Sequence, residues 1–286
     1  MTETTTEERI NIKRLMLERP VQLGPTFDPE TDISSRQWRM MTETLEAFRN
    51  SSAHNNPYAE MLFYMYMLLP ERLNLAQIAN DSKAMELMVY TPRYTRMHHD
   101  DLKYIPSAVR LKVLFPESDE NSTVGIDDLG DLRDRFKFRK AEIKRFETGR
   151  SVAGNITDEL VAAKILFPEY FKETIEADTD LQNKLVELHN NLEGGISDLA
   201  WLAANIRLLF PERFNELNFG LRQWELAKEY LYQQQPNWQV FAWFASVLKI
   251  LAAEKVEVTD RGIELTMPSK EISDFEPVPL PETRRF

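Results

Sequence analysis

The chain has 286 residues, 43% of them hydrophobic, so it can bury a sizeable core and is too apolar to stay disordered. It holds no cysteine, which excludes disulfides, zinc–thiolate sites and thiol nucleophiles, and nine glycines, too few for a turn-rich all-β fold. A formal charge of −11 sets the molecule as a whole against phosphate backbones and anionic membranes.

The opening, Met1–Arg9, is polar and acidic, unlike a basic start followed by an apolar stretch, and residues 1–8 are expected to be disordered. The most apolar runs, Met61–Leu69 and Val240–Ala253, fall short of the roughly 20 residues that a bilayer-spanning helix needs, and the second contains Lys249. No membrane partner is expected, and a cytoplasmic location is the default.

Residues 9–254 read as a helical array, with units near 9–56, 57–101, 102–153, 154–196, 197–236 and 237–254. Its signature is a segment ending Leu-Phe-Pro-Glu at 114–117, Leu-Phe-Pro-Glu at 166–169 and Leu-Leu-Phe-Pro-Glu at 208–212. Weaker copies flank these, Leu-Leu-Pro-Glu at 68–71 and Leu-Ala-Ala-Glu at 251–254. Aligned on positions 70, 116, 168, 211 and 253, the copies are spaced by 46, 52, 43 and 42 residues. Leucine stands two places before that position in every copy, and Lys112, Lys164, Arg207 and Lys249 stand four before it in the last four. A second half-unit recurs as Arg36-Gln37-Trp38 and Arg222-Gln223-Trp224.

One copy shows the physics. From Asp198 to Phe210, Leu199, Leu202, Ala203, Ile206 and Leu209 form one apolar stripe of a helix with Asp198 as its expected N-cap. Pro211 ends that helix, because the residue before proline is driven out of the α region. Proline also suits the first position of a new helix, and Glu212 behind it meets the positive end of the dipole. A second helix is predicted over Leu221–Tyr232, with Leu221, Trp224, Leu226, Ala227, Tyr230 and Leu231 mostly on one side. Hairpins of this kind cannot bury their stripes alone and must stack. The fold class is therefore all-α, helical-hairpin repeats, either a solenoid of the HEAT or armadillo type or a closed bundle of duplicated hairpins.

The Lys/Arg-x-Leu-Phe-Pro-Glu pattern and the ending around Val258–Met267 and Pro279–Phe286 resemble uncharacterised bacterial helical-repeat proteins from about Ala108 onward. The resemblance implies a helical-repeat fold. It implies no activity, cofactor or site residue.

Two segments within the array hold unusual side chains. Met97-His98-His99-Asp100-Asp101 groups metal-type ligands, but consecutive helical residues point about 100° apart, so a polar helix start is the better reading. Arg93, Tyr94 and Arg96 precede it, while His54 and His189 stand alone in polar stretches. Residues 133–150 carry eight positive charges, Arg133, Arg135, Lys137, Arg139, Lys140, Lys144, Arg145 and Arg150, against three negative ones. Phe136, Phe138 and Phe146 interleave. This segment is the candidate polyanion or RNA surface; a solvated helix face is the plainer reading.

The helical pattern stops after Ala253. Lys255–Met267 alternates apolar and polar residues around Asp260-Arg261-Gly262 and reads as a β-hairpin capping the last unit. A DNA-contacting wing at this place should be basic; Glu254, Glu257, Asp260 and Glu264 outnumber Lys255 and Arg261, so no DNA partner is expected. Residues 268–286 read as a Pro-rich tail, disordered or docking on a partner through Pro277, Pro279, Pro281, Arg284, Arg285 and Phe286.

The carboxylates Glu71, Glu117, Glu169 and Glu212 recur once per unit, where helix-start electrostatics explains them better than catalysis. Phosphate-binding glycine loops, nucleophile elbows and zinc-protease motifs are absent from the sequence. No catalytic, cofactor or metal residue is assigned. The expected function is a non-enzymatic scaffold that binds another protein, with RNA or another polyanion as the alternative partner.

Overall fold

The computed structural model describes residues 26–51, 57–89, 104–116, 129–145, 153–259 and 262–267. The Pro-rich segment 268–286, the His98–Asp101 group, Arg93–Arg96, His54, Glu117, Phe146 and Arg150 lie outside them. The described chain is all-α with one small hairpin. Its helices are α1 (Pro29–Asp32), α2 (Ser35–Asn50), α3 (Tyr58–Leu68), α4 (Leu75–Ala79), α5 (Ser82–Val89), α6 (Tyr104–Leu114), α7 (Leu129–Arg145), α8 (Ala153–Leu166), α9 (Pro168–Phe171), α10 (Thr179–Asn190), α11 (Ile196–Leu209), α12 (Leu221–Gln233) and α13 (Trp238–Ala252). Antiparallel strands β1 (Lys255–Thr259) and β2 (Gly262–Thr266) follow, Val256 paired with Leu265 and Val258 with Ile263. Among the described residues, no helix is long and apolar enough to cross a membrane.

The proline corners lie where the sequence places them. Leu69, Phe167 and Phe210 share one non-helical backbone conformation, with φ −144°, −136° and −139° and ψ 75°, 64° and 72°. Each precedes a proline, which bars it from the α region. Pro70, Pro168 and Pro211 then open a short helical turn with Glu71, Glu169 or Glu212 in its first turn, beside orphan amides and the positive dipole end. The Arg-Gln-Trp echo also has a local cause. Gln37 and Gln223 occupy the third helical position of α2 and α12, and each side chain accepts from the backbone N–H just before its helix, at Ser34 (2.8 Å) and Gly220 (3.1 Å).

One expected cap moves. Helix α11 begins at Ile196 with Gly195 before it, so Asp198 sits inside the first turn, not at the cap. Capping at the glycine adds three helical residues, Ile196, Ser197 and Asp198, and Asp198 still meets the dipole from the first turn.

The corner-bearing helices pack in a ring: α3 against α6, α6 against α8, α8 against α11, α11 against α13, and α13 back against α3. The packing of these helices closes on itself. Helices α2, α5, α7, α10 and α12 lie outside, each packed on ring helices. The basic residue four places before the corner ties ring neighbours together. Lys164 donates to the carbonyls of Leu208 and Leu209 (2.8 and 3.0 Å), Arg207 to that of Leu251 (2.6 Å), and Lys249 to that of Leu68 (2.8 Å). Each cation reaches from the last turns of one helix to the C-terminal carbonyls of the next, so α8, α11, α13 and α3 run parallel with their C-termini at one end. Cations there meet unpaired carbonyls and the negative dipole end.

The β-hairpin lies at that end, β1 on α8 and α11 and β2 on α6. Gly262 adopts φ 118°, and a Cβ on it would stand 3.1 Å from Val113 Cγ1, so both the turn and the close approach favour glycine. One continuous core runs from Phe27 through the ring to Val256.

Candidate functional site

The ring surrounds a chamber of about 620 Å³ that is open to solvent on one side, a volume suited to one small organic ligand. Its lining follows the sequence alignment. The residues ten, seven, six and three places before each corner position face inward: Glu60, Phe63, Tyr64 and Met67 on α3; Asp158, Val161, Ala162 and Ile165 on α8; Trp201, Ala204, Asn205 and Leu208 on α11; Trp243, Ser246, Val247 and Ile250 on α13. Helix α6 adds Val109 and Arg110, and the hairpin adds Ile263. Helical periodicity puts such positions on one stripe. Nearest the hairpin the layer is wholly apolar (Met67, Ile165, Leu208, Ile250), and toward the helix N-termini the polar groups gather.

Those polar groups form two clusters. In the first, Arg110 donates to Glu60 Oε1 (3.0 Å) and Gln239 to Glu60 Oε2 (3.0 Å), linking α6, α3 and α13. In the second, Asp158 Oδ1 accepts from Asn205 Nδ2 (2.7 Å) and from the Trp201 indole N–H (3.0 Å). Asn205 also donates to the buried Thr157 hydroxyl (2.9 Å). Asp158 lines the cavity where it opens to solvent and is itself accessible. Burial pushes its carboxyl up to about 7, against the pull of the Asn205 and Trp201 donors. The Tyr64 hydroxyl is likewise raised, first by burial and then by Glu60. Trp201 and Trp243 meet edge to face, ring centroids 5.6 Å apart.

None of these residues is among the sequence candidates. The signal was present in the alignment of copies: at inward positions where other copies hold Val, Ala or Trp, this chain holds Glu60, Arg110, Asp158 and Asn205. Spacing alone cannot tell an inner stripe from an outer one, because both faces of a ring helix are covered.

The basic segment lies on α7 and is largely engaged. Arg135 and Arg139 both reach Glu159 (3.0 Å each), and Arg139 also reaches Glu142 (2.6 Å). Lys140 and Lys144 converge on Asp178 (2.9 and 2.8 Å), and Lys137 pairs with Asp134 (2.8 Å). Burial alone would raise the Asp178 carboxyl, but Lys144 and Lys140 outweigh it and hold it down to about 2. Arg145 is exposed, and the backbone of Arg133 lies in the same helix. Phe136 is buried against Phe167 and Tyr170, whereas Phe138 is 62% exposed. His189, read as standing in a polar stretch, is instead buried, with Nδ1 3.1 Å from Asn190 Oδ1. Among the described residues no group of three or more His, Asp or Glu could hold a metal ion.

Comparison with known proteins finds no matching family model, no similar curated protein and no similar solved structure.

Proposed function

We propose that the protein binds a small organic molecule, apolar along most of its length and polar at one end, inside the ring. The layering of the chamber carries this reading: an apolar floor under the hairpin, aromatic walls, and hydrogen-bonding groups gathered at the other end. The reading is of binding without turnover. Ser246, whose hydroxyl could serve as a nucleophile, donates instead to the carbonyl of Trp243 (2.6 Å) on its own helix. An activity screen that finds turnover would overturn that part.

A neutral fluorescent probe, N-phenylnaphthylamine, tests the site. Filling the chamber by Ala204→Phe should abolish its fluorescence enhancement, while Leu226→Ala on the outer surface leaves it unchanged. Wild-type enhancement in folded Ala204→Phe protein sinks the reading.

A second reading keeps the protein-binding scaffold. The outer face of α12 favours it: Leu221 and Leu226, expected on the buried side, are 61% and 41% exposed, and Tyr232 is 44% exposed. The corresponding test is co-purification from the native cell with and without Leu221→Glu. The polyanion alternative has less support, since Arg135, Arg139, Lys140 and Lys144 already hold Glu159 and Asp178.

A further inference from the structure

We propose that the chamber selects organic ammonium ions, holding the charged nitrogen on Asp158 and the apolar body against Trp243, Phe63 and Met67. The proposal rests on reading the chamber as a ligand site and names the class of ligand that fits it.

The charges facing the chamber leave one position uncompensated. From α3, Glu60 is neutralised by Arg110 of α6. Glu159, beside Asp158 on α8, is tied to Arg135 and Arg139 of α7. Helices α11 and α13 face Asp158 with Trp201, Asn205, Gln239 and Trp243, none of them ionisable in this range, and Tyr64 on α3 stays a neutral phenol. Asp158 therefore has no cationic partner among the described residues. Its two protein donors are uncharged and both use Oδ1.

A carboxylate at the wall of an apolar cavity, held only by neutral donors, gains from a proton or from a cation. A protonated amine supplies the missing charge, and the surrounding ring faces attract cations as well. An anionic ligand would find Arg110 already engaged and three carboxyl groups, Glu60, Asp158 and Glu159, along the lining. A neutral ligand would gain a hydrogen bond from an ionised Asp158 but no charge pairing.

Tryptamine and tryptophol, matched in shape and differing in amine against hydroxyl, separate these cases by calorimetry. Wild-type protein should prefer tryptamine, and the preference should fall about tenfold per pH unit below the titration of Asp158, between about pH 7 and about pH 5, because binding then displaces a proton. Tryptophol affinity should stay nearly flat over the same range. Asp158→Asn should erase the preference and keep tryptophol binding. If tryptophol binds and tryptamine binds no better, or the preference ignores pH, the ammonium proposal is overturned while the chamber reading stands. If neither binds, both are overturned. The pH series on wild-type protein decides even where Asp158→Asn does not fold.

Discussion

At the scale of single residues, two ionisable groups make opposite predictions about pH. Asp158 is raised to about 7 in the fold by burial, whereas an unfolded chain returns it to the ordinary carboxylate range. Between about pH 4 and pH 7 the folded state therefore binds the extra proton, and this site contributes stability at low pH that is lost as pH rises. Relative to Asp158→Asn, wild-type protein should lose melting temperature across that window and run parallel above it. His189 behaves in the other sense. Burial lowers its imidazole below the usual value, Asn190 opposing, so the unfolded chain takes up a proton that the fold excludes. Stability from His189 is present above about pH 6.5 and is lost as the pH falls toward the folded value, a loss that His189→Gln should remove. Equal pH profiles for these variants and wild type would show that neither group is desolvated as described.

The elements were legible in the sequence to different depths. The corners were read at the right residues because proline acts on the backbone of its predecessor whatever the tertiary context, as Leu69, Phe167 and Phe210 show. The hairpin was read because alternation and Gly262 are local as well. The role of Lys164, Arg207 and Lys249 was visible as a pattern and not as a cause, since their acceptors lie 44 to 181 residues away. Asp158 and Glu60 escaped notice for the same reason: on one helix each is an ordinary polar residue, and only closure of the ring makes them face a common space. The cation rungs can be tested singly. Lys164 serves two carbonyls at the end of α11 and also stands 5.1 Å from the centre of the Phe171 ring. Lys164→Met keeps much of the stem's packing and removes the charge, so the expected loss is about 1–3 kcal/mol in urea denaturation. Gly262→Ala should cost about 1–2 kcal/mol through its positive φ and its approach to Val113. An unchanged midpoint in either variant contradicts the role assigned to it.

For the whole molecule, what separates a ring from an open array is that it has no end helix. In an open stack the terminal units have one neighbour and unfold first, so protection is graded from the middle outward. Here the first and last ring helices meet. Lys249 donates to Leu68, Gln239 to Glu60, and Lys228 reaches Thr26 and Asp32. These contacts join residues close to the two ends of the described chain, and the loop they close is long, so their entropy cost is incurred in folding and their benefit is felt by the whole ring. Native-state hydrogen exchange should therefore find α3 and α13 as protected as α8. Lys249→Met cuts one bond of this seam, 2.8 Å long, and none made by α8. It should lower protection in α3 and α13 first and leave α8 near its wild-type value, turning a uniform pattern into a graded one. Chamber binding should weaken in step, because Glu60 and Met67 on one side of the seam and Trp243 on the other would no longer be held at fixed separation. A wild-type pattern already graded toward α3 and α13 would mean that the seam contributes little and that the ring behaves as an open stack.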